Sequence, residues 1–384
     1  MADSVADVVV VGVGGVGSAA LWRLAARGVR VVGVDRFVPG HAFGSSHGQT
    51  RVYRKAYFEH PDYVPLATHA EALWGELEVA SGQPLRRRTG VLQFGPPSGV
   101  VVPGVLQSAR LHGLRVERLS ASEARARFAG FAAPDGFDAV FEPDGGVLYV
   151  EACVRAATAV ACELGATLLA GRTVERVIED GDGLRVETSH EQIRCRHVLL
   201  TPGAWAPGLL ADLGVPLRVA RKVMVWYAPQ TAGPSPYDAA AGCPAFLYEL
   251  PHGIFYGCPA EGERGVKVAE HTGGTSLIDP LTLDRALHAA DEAPLRAFVE
   301  THLPGLGRAD LRHHEACMYT LTPDQHFVVG GHPARPGISV ACGLSGHGFK
   351  FASALGDVLA ALAMGEAPPV GIEAFRPDRP AVCG

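Results

Sequence analysis

Val8-Val-Val-Val-Gly-Val-Gly-Gly-Val-Gly17 is the stretch that decides the first element of the fold. Its first four valines predict an apolar strand, and Gly12, Gly14 and Gly17 follow with the spacing G-x-G-x-x-G. The first glycine allows a sharp turn, the second lets the backbone approach a pyrophosphate, and the third lets helix and strand pack closely. The stretch therefore predicts a strand, a turn and a helix that together bind a dinucleotide.

The residues after this motif complete a βαβ unit. Apolar residues recur at helical spacing up to Ala25, Gly28 ends the helix, and a second apolar strand runs from Val29 to Asp35. The helix N-terminus favours an anion through its free N–H groups and its dipole. A carboxylate at position 35 can accept hydrogen bonds from a ribose and would repel a 2′-phosphate. Glycine-rich turns also serve as ordinary connections, and the motif alone does not separate flavin adenine dinucleotide (FAD) from a nicotinamide cofactor.

The composition limits the possible classes of protein. A chain of 384 residues with 47% hydrophobic residues has room for two domains, or for one large domain carrying an insertion. A formal net charge of −6 without long like-charge runs gives no indication of nucleic acid or an anionic membrane as a partner. The eight cysteines are scattered without a C-x-x-C pair, which argues against a disulfide framework or a zinc site. Residues 1–7 carry no basic residue, so we expect a cytoplasmic rather than an exported protein.

Further along the chain, the pattern predicts a dinucleotide-binding domain built from three segments. We assign residues 1–85, 146–218 and 314–384 to that domain, and residues 86–145 and 219–313 to a substrate domain rich in strands. The sequence predicts helices over 61–78, 107–113, 120–128, 151–164, 283–302 and 349–364. It predicts strands over 90–95, 166–170, 173–178, 184–188, 192–196 and 337–343. A sheet-rich domain above the cofactor's reactive end would suit a substrate cavity at a domain interface.

Four clusters of basic, hydroxyl or thiol residues are candidates for chemistry. They are His47, Thr50, Arg51 and Arg54 in and after a polar loop; Tyr256, Lys267 and His271 in a strand region; Cys317; and Lys350 in the first turn of the last helix. Taken singly, each has an ordinary structural explanation as a surface charge, a solvated lysine or a small buried thiol. Only their combination suggests a function.

In combination, these stretches resemble the monomeric sarcosine oxidase and N-methyltryptophan oxidase family, within the wider D-amino-acid-oxidase-like flavoproteins. The similarity runs nearly end to end. It rests on Gly12-Val-Gly-Gly-Val-Gly17 with Asp35, Ser45-Ser-His-Gly-Gln-Thr-Arg-Val-Tyr-Arg54, Pro202-Gly-Ala-Trp205, Ala316-Cys-Met-Tyr-Thr320 with Pro323-Asp324, and Gly346-His-Gly-Phe-Lys350. The resemblance implies an α/β fold: a Rossmann-like FAD-binding domain of the glutathione-reductase type with a second, sheet-rich substrate domain of α+β type.

The resemblance also implies roles for single residues. Cys317 would bond through sulfur to the 8α-methyl group of FAD, Arg54 and Lys350 would hold a substrate carboxylate, and Lys267 would stand where dioxygen is reduced. The residues implied to line the substrate pocket or lie close to the flavin ring are Tyr256, His271, His47, Thr50 and Arg51. The implied cofactor-binding set is Gly12, Gly14, Gly17, Asp35, Arg36, Ser45, Ser46, Thr50, Gly203, Trp205, Cys317, Gly346, Gly348 and Lys350. No metal is expected.

Some residues depart from the family pattern: Gln49 stands where we expect an aspartate, Tyr53 where an aliphatic residue is usual, and Val329-Gly-Gly331 replaces a more apolar and acidic stretch. These departures leave FAD unaffected but leave the substrate open. The implied activity is oxidation of a secondary amino acid, such as an N-methyl amino acid, to an imine by a monomer, with dioxygen reduced to hydrogen peroxide. Alternatives are a dehydrogenase that uses a quinone or protein acceptor, an oxidase of a cyclic imino acid, and a flavin-binding module without turnover. A nicotinamide enzyme is disfavoured because no second nucleotide site is visible.

Overall fold

The structure is a computed structural model that describes residues 3–228 and 235–382. Residues 229–234, which belong to the predicted substrate domain, lie outside the described residues, as do 1–2 and 383–384. Within the described ranges, no helix combines the length and the apolar character needed to span a bilayer.

The strand of the opening motif lies inside a six-stranded sheet. In spatial order the strands are Thr167–Ala170, Val31–Asp35, Val8–Val11, His197–Leu200, Ile338–Cys342 and Val328–Gly331. Neighbouring strands are parallel except for the last pair. Val8 and Val10 pack into one buried cluster, and Val9 and Val11 pack into another. Because both faces of the strand are covered, every residue in it is apolar.

Helices cover one face of this sheet and a smaller sheet covers the other. The helices are Gly15–Ala26, Tyr63–Ser81, Val150–Glu163 and Ala352–Ala363. The four-stranded sheet consists of Asp3–Val5, Gln192–Cys195, Gly183–Thr188 and Val174–Asp180. Two helix glycines permit close approach: a Cβ on Gly17 would lie 1.8 Å from the Gly12 carbonyl oxygen, and one on Gly356 would lie 2.5 Å from the Ala20 nitrogen.

A nine-stranded sheet forms the second large layer. Its strands are Thr275–Leu277, Arg218–Ala228, Val266–Glu270, Gly253–Cys258, Ala245–Leu250, Val91–Gly95, Asp138–Glu142 and Glu117–Ser120 in spatial order, with Asp310–Leu321 paired to Arg218–Ala228. Thr50–Tyr53, Gly146–Tyr149 and Arg86–Arg88 make a separate three-stranded sheet. The predicted domain limit between 313 and 314 falls inside the strand Asp310–Leu321, and the domain limits stay predictions.

Two helix predictions were wrong in their starting points. The helix predicted over 107–113 spans Val101–His112, because the Glu249 carboxylate accepts hydrogen bonds from the backbone N–H groups of Val100 and Val101 and so caps it. The helix predicted over 283–302 spans Ala289–His302, since a capping box between His288 and Asp291 sets its start.

Other boundaries agree more closely. The predicted capping box of Ser120 and Glu123 is confirmed at the start of Ala121–Arg127. The last helix begins as a 3₁₀ turn over Phe349–Phe351, so Lys350 lies in that turn rather than in the α-helix. A 3₁₀ turn over Gly203–Trp205 and a short helix over Ala206–Leu209 follow the strand His197–Leu200.

Candidate active site

A cavity of about 480 Å³ runs from the glycine turn to the nine-stranded sheet. Most of the residues predicted for the site line it: Gly12, Gly14, Asp35, Arg36, Ser45, Ser46, Arg51, Arg54, Gly203, Trp205, Tyr256, His271, Gly346, Gly348 and Lys350. Gly17, His47, Thr50, Lys267 and Cys317 are not part of its wall. The three departures noted in the sequence, Gln49, Tyr53 and Val329, do not line it either.

The glycine turn forms one end of the cavity. Gly12 has a φ of 86°, and a Cβ there would lie 2.5 Å from the Thr201 carbonyl oxygen, so only glycine fits. Gly14 and Gly15 bring the start of the helix Gly15–Ala26 to the cavity wall, where Ser46 Oγ accepts a hydrogen bond from the Gly15 N–H at 3.1 Å. A helix N-terminus at this position favours an anionic ligand.

Asp35 holds the turn in place. Its Oδ2 accepts a hydrogen bond from the Val13 N–H at 2.7 Å, and its Oδ1 accepts one from the Phe37 N–H at 2.8 Å. Each carboxylate oxygen has a second acceptor position. Asp35 also lines the cavity, so it is available to a ribose as well as to the backbone.

The wall next to this end carries groups that suit a dinucleotide. Arg36 stacks over the Trp205 ring at 5.5 Å from its centroid, and both line the cavity. The Trp205 indole N–H is buried and has no acceptor among the described residues. A helix N-terminus suits the phosphates of a dinucleotide, and a carboxylate at the position of Asp35 suits a ribose.

Arg54 is at the other end of the cavity, where its guanidinium is held by an acidic partner. It is 5% exposed, and its NH2 group donates to both carboxylate oxygens of Glu59 at 3.0 and 2.9 Å. Its NH1 group donates to the Ala56 carbonyl at 3.1 Å, and its plane covers the rings of Tyr57 and Phe58. Glu59 lines the cavity beside Arg54 and was not among the predicted residues.

Lys350 shares Tyr57 with Arg54. Its Nζ donates to the His347 carbonyl at 2.8 Å and lies 3.3 Å from the Tyr57 hydroxyl. The Tyr57 hydroxyl is 2.7 Å from His347 Nδ1. Burial, with help from the positive charge of Arg54, lowers the pKa of Lys350 to about 7. Two cations therefore meet around one tyrosine at the same end of the cavity.

Neutral polar rings also line the cavity. The hydroxyls of Tyr256 and Tyr319 are 3.4 Å apart, and the His271 ring lies 5.7 Å from that of Tyr319. Burial and the neighbouring His347 lower the pKa of His271 to about 3, so its imidazole is neutral at physiological pH. This wall offers hydrogen-bonding groups without adding charge.

Lys267 lies outside the cavity wall. It is 1% exposed, and its Nζ donates to the carbonyl oxygens of Gly48, at 2.9 Å, and Thr50. Gly48 and Gln49 both have positive φ angles, which turn these carbonyls toward the lysine. Burial and the charge of Arg51 lower the pKa of Lys267 to about 7. The predicted grouping of Lys267 with Tyr256 and His271 is therefore only partial, because Lys267 faces the loop at 48–50.

Cys317 lies just behind the cavity wall. Its Sγ is 3.6 Å from Arg51 NH2 and 3.6 Å from the Ser45 carbonyl oxygen, and both of these residues line the cavity. Burial would raise the pKa of the Cys317 thiol, but the hydrogen-bonded His47 and the positive charge of Arg51 lower it below its usual range. Three of the residues predicted to lie near the flavin thus meet at this point.

Glu315 joins this group and was missed by the sequence analysis. Its Oε2 lies 2.7 Å from His47 Nδ1. Two residues before Cys317 in the strand Asp310–Leu321, it shares a strand face with that cysteine, and this period of two is the signal that could have found it. Glu59 could have been found as an acidic residue five positions after Arg54 in the same polar segment.

Residues 7–362 match the model of the family described as FAD dependent oxidoreductase, so the chain belongs to that family and its cofactor is FAD. The predicted family and fold class are confirmed. The chain is 39% identical to the monomeric sarcosine oxidase of Bacillus sp. (strain B-0618), over 98% of this chain and 96% of that one. It is 36% identical to the N-methyl-L-tryptophan oxidase of Citrobacter koseri, over 97% and 98% of the two chains.

Among solved structures, the fold is similar to the open form of NikD, an unusual amino acid oxidase essential for nikkomycin biosynthesis. The TM-score is 0.83 and the sequence identity is 26%, over 97% of this chain and 98% of that chain.

Proposed function

We propose that this chain oxidises N-methyl or other secondary amino acids with FAD and reduces dioxygen to hydrogen peroxide. The observation that carries the proposal is the meeting of Arg54 and Lys350 around Tyr57, in the same cavity that begins at the glycine turn. The two relatives are named after sarcosine and N-methyl-L-tryptophan, and these two compounds share a carboxylate and a secondary amine. A cavity with a cationic end and a neutral polar wall fits both groups.

In this proposal Arg54 and Lys350 bind the substrate carboxylate. A fixed guanidinium and an ammonium hold a carboxylate at two positions, which orients the C–H bond next to the amine. Glu59 now occupies the NH2 group of Arg54, so the substrate carboxylate competes with it for that donor. The two cations also disfavour a protonated amine nearby and keep the substrate in its reactive neutral form.

Tyr256, Tyr319 and His271 surround the amine in this proposal. Because His271 is neutral, it can accept a hydrogen bond from the amine without adding a charge. FAD, when bound, supplies the two-electron oxidation of the C–H bond next to the amine. The protein's contribution is then to position the substrate and to favour its neutral amine, with no side-chain base required.

We also propose that Cys317 tethers FAD through the 8α position and that Lys267 assists the reduction of dioxygen. The proximity of Cys317 to Ser45 and Arg51 supports the tether. A cationic lysine behind the loop at 48–50 would stabilise the negative charge that develops on dioxygen. We further propose that this chain is a monomer, because one relative is named monomeric sarcosine oxidase. Analytical ultracentrifugation tests this, since a monomer would sediment with the chain mass of 40.3 kDa.

A dehydrogenase with a different electron acceptor is the second candidate. The observation that favours it is that Lys267 Nζ is engaged by the carbonyls of Gly48 and Thr50 and is absent from the cavity wall. The Lys267→Met variant separates the two. In an oxidase it slows reoxidation of the reduced flavin by dioxygen much more than reduction by substrate. In a dehydrogenase both steps are nearly unchanged.

A peroxide-coupled screen of N-methyl and cyclic amino acids tests the proposal. We expect peroxide to form with at least one secondary amino acid and not with the corresponding amide, which lacks the carboxylate. Substrate that reduces the flavin without peroxide would favour the dehydrogenase. Failure of every N-alkyl and cyclic amino acid to reduce the flavin anaerobically would contradict both and favour a binding module.

A further inference from the structure

The hydroxyl of Tyr57 contacts both a histidine and a lysine at the cationic end of the cavity. The tyrosine is fully buried, and its ring packs against those of Tyr63 and Phe351, with centroids 4.8 and 5.1 Å away. Its hydroxyl oxygen lies 2.7 Å from His347 Nδ1 and 3.3 Å from Lys350 Nζ. Tyr57 was not among the residues predicted from the sequence, and the packing of its ring fixes where the hydroxyl lies.

The hydrogen bonds of His347 fix the direction of this hydroxyl. His347 Nε2 lies 3.1 Å from the Gln325 carbonyl oxygen, which can only accept, so Nε2 carries a proton. Burial and the charge of Lys350 lower the pKa of His347 well below its usual range, so the ring is neutral and Nδ1 has no proton. Tyr57 therefore donates its hydroxyl proton to Nδ1, and its oxygen keeps its lone pairs for Lys350.

Lys350 uses this oxygen as one of its two acceptors. An ammonium group has three N–H donors. One meets the His347 carbonyl oxygen at 2.8 Å and one meets the Tyr57 oxygen at 3.3 Å, which leaves a third without an acceptor among the described residues. Because Lys350 lines the cavity, this third N–H is available to a ligand there. The two protein contacts thus hold the ammonium group and leave one donor free.

We propose that Tyr57 is a positioning residue for the substrate carboxylate: its hydroxyl, turned toward His347, accepts from the Lys350 ammonium and so directs the remaining N–H into the cavity. This inference rests on the proposed function, in which Lys350 binds that carboxylate. The same tyrosine ring lies under Arg54, whose guanidinium carbon is 4.1 Å from the ring centroid. One aromatic side chain therefore supports both cations, the arginine by the face of its ring and the lysine by its oxygen.

The surroundings of Lys350 decide how its charge depends on pH. The charged or titratable groups that face it are Arg51, Arg54, Tyr57, Glu59, His271 and His347. The two imidazoles have lowered pKa values and the phenol has a raised one, so these three are neutral at pH 7, while the arginines are charged and Glu59 is paired with Arg54. An acceptor favours the charged form of the ammonium, so loss of the Tyr57 hydroxyl should lower the pKa of Lys350 below its wild-type value of about 7.

Acetate titration of the full-length protein with FAD bound tests the proposal, with the flavin absorbance as the readout. Tyr57→Phe keeps the ring under Arg54 and removes only the hydroxyl. At pH 7 we expect this variant to bind acetate about fivefold to tenfold more weakly, because a pKa lowered by about one unit leaves most of the lysine uncharged. The pH above which acetate binding weakens should also move down by about one unit.

Tyr63→Phe is the matched control. Tyr63 is also fully buried, and its hydroxyl lies 3.0 Å from His326 Nδ1, so this variant likewise removes the partner of a histidine nitrogen. The hydroxyl partner of Tyr63 is that histidine rather than Lys350, so the acetate affinity and its pH dependence should match the wild type. In acidic buffer Tyr57→Phe should also approach the wild-type affinity, since both proteins then carry the ammonium charge. General structural damage would not be recovered in this way.

The outcomes separate this inference from the proposed function. Acetate binding that is the same in the wild type and in Lys350→Met would overturn the carboxylate site and the role of Tyr57 with it. Binding that depends on Lys350, with Tyr57→Phe equal to Tyr63→Phe in affinity and in pH dependence, would overturn only the role of Tyr57. A loss in Tyr57→Phe that is the same at every pH would show a structural role and also overturn it.

Discussion

The two ends of the cavity are built from the sequence in different ways. The glycine-turn end comes from one continuous segment, in which Gly12, Gly14 and Asp35 lie within 24 positions of each other. At the other end, Arg54 and Lys350 are almost 300 positions apart. The first end depends on backbone geometry and the second on side-chain charge. Substitutions at the two ends should therefore impair different properties: stability and FAD binding at the first end, and carboxylate binding at the second.

Gly17→Ala should have the largest effect and should damage the glycine-turn end. The added Cβ would lie 1.8 Å from the Gly12 carbonyl oxygen and 2.6 Å from Thr201 Oγ1. We expect a loss of about 3 kcal/mol in the free energy of unfolding, at the upper end of overpacking costs, together with loss of FAD. Chemical denaturation and flavin content measure this.

Gly331→Ala is the matched control for that variant, because a Cβ there meets nothing within 4 Å. A Gly17→Ala protein with wild-type stability and full FAD content would show that the turn is not held by this close approach.

Lys350→Met should come next and should leave the glycine-turn end intact. Loss of one charge-assisted hydrogen bond is expected to weaken binding of a small carboxylate such as acetate by roughly 10- to 100-fold, with FAD retained. Titration followed by the flavin absorbance gives the affinity. Lys55→Met is the control, because Lys55 pairs with Glu71 and does not line the cavity.

The same lysine predicts a pH dependence. Its pKa of about 7 in the free site means that it carries its charge below that pH and loses it above. Binding of acetate should therefore weaken as pH rises above about 7 in the wild type, and this step should be absent in Lys350→Met. A step that persists in the variant would assign the titration to another group.

Glu59→Gln should have a smaller effect of opposite sign on binding. Removal of the carboxylate that occupies Arg54 should strengthen acetate binding by about tenfold, while the unpaired buried guanidinium lowers stability by about 1 to 3 kcal/mol. Glu71→Gln, which frees Lys55 instead, should change stability without changing the affinity. Weaker acetate binding in Glu59→Gln would show that Glu59 orients Arg54 for the ligand rather than competing with it.

The smallest effects concern two helix caps. One capping residue is local in the sequence and the other is distant, as are the residues at the two ends of the cavity. Ser120 caps a helix from within its own segment, whereas Glu249 caps Val101–His112 from a strand almost 150 positions away. We expect Ser120→Ala and Glu249→Ala each to cost about 1 kcal/mol in the free energy of unfolding. Denaturation curves measure both variants, and an unchanged free energy of unfolding in either one would show that its cap contributes nothing.

The same distinction explains what could be predicted from the sequence. The strand Val8–Val11, the glycine turn and Asp35 form local patterns, and the capping box at Ser120 is also local. Glu249 acts on a helix start that the fold brings to it from almost 150 positions away, and no local pattern indicates such a pair. Lys267 is predicted in one cluster with His271, but its Nζ donates to the carbonyl oxygens of Gly48 and Thr50, a pairing with a distant loop that the strand sequence does not indicate. The domain limits and the roles of single site residues stay predictions.

Anaerobic stopped-flow reduction of the bound flavin tests the central claim most directly. The proposal predicts that sarcosine or another N-alkyl amino acid reduces the flavin quickly, and that the matching amine without a carboxylate reduces it far more slowly. Equal rates for the two compounds, or no reduction by any secondary amino acid, would contradict a site in which Arg54 and Lys350 present an amino acid to FAD.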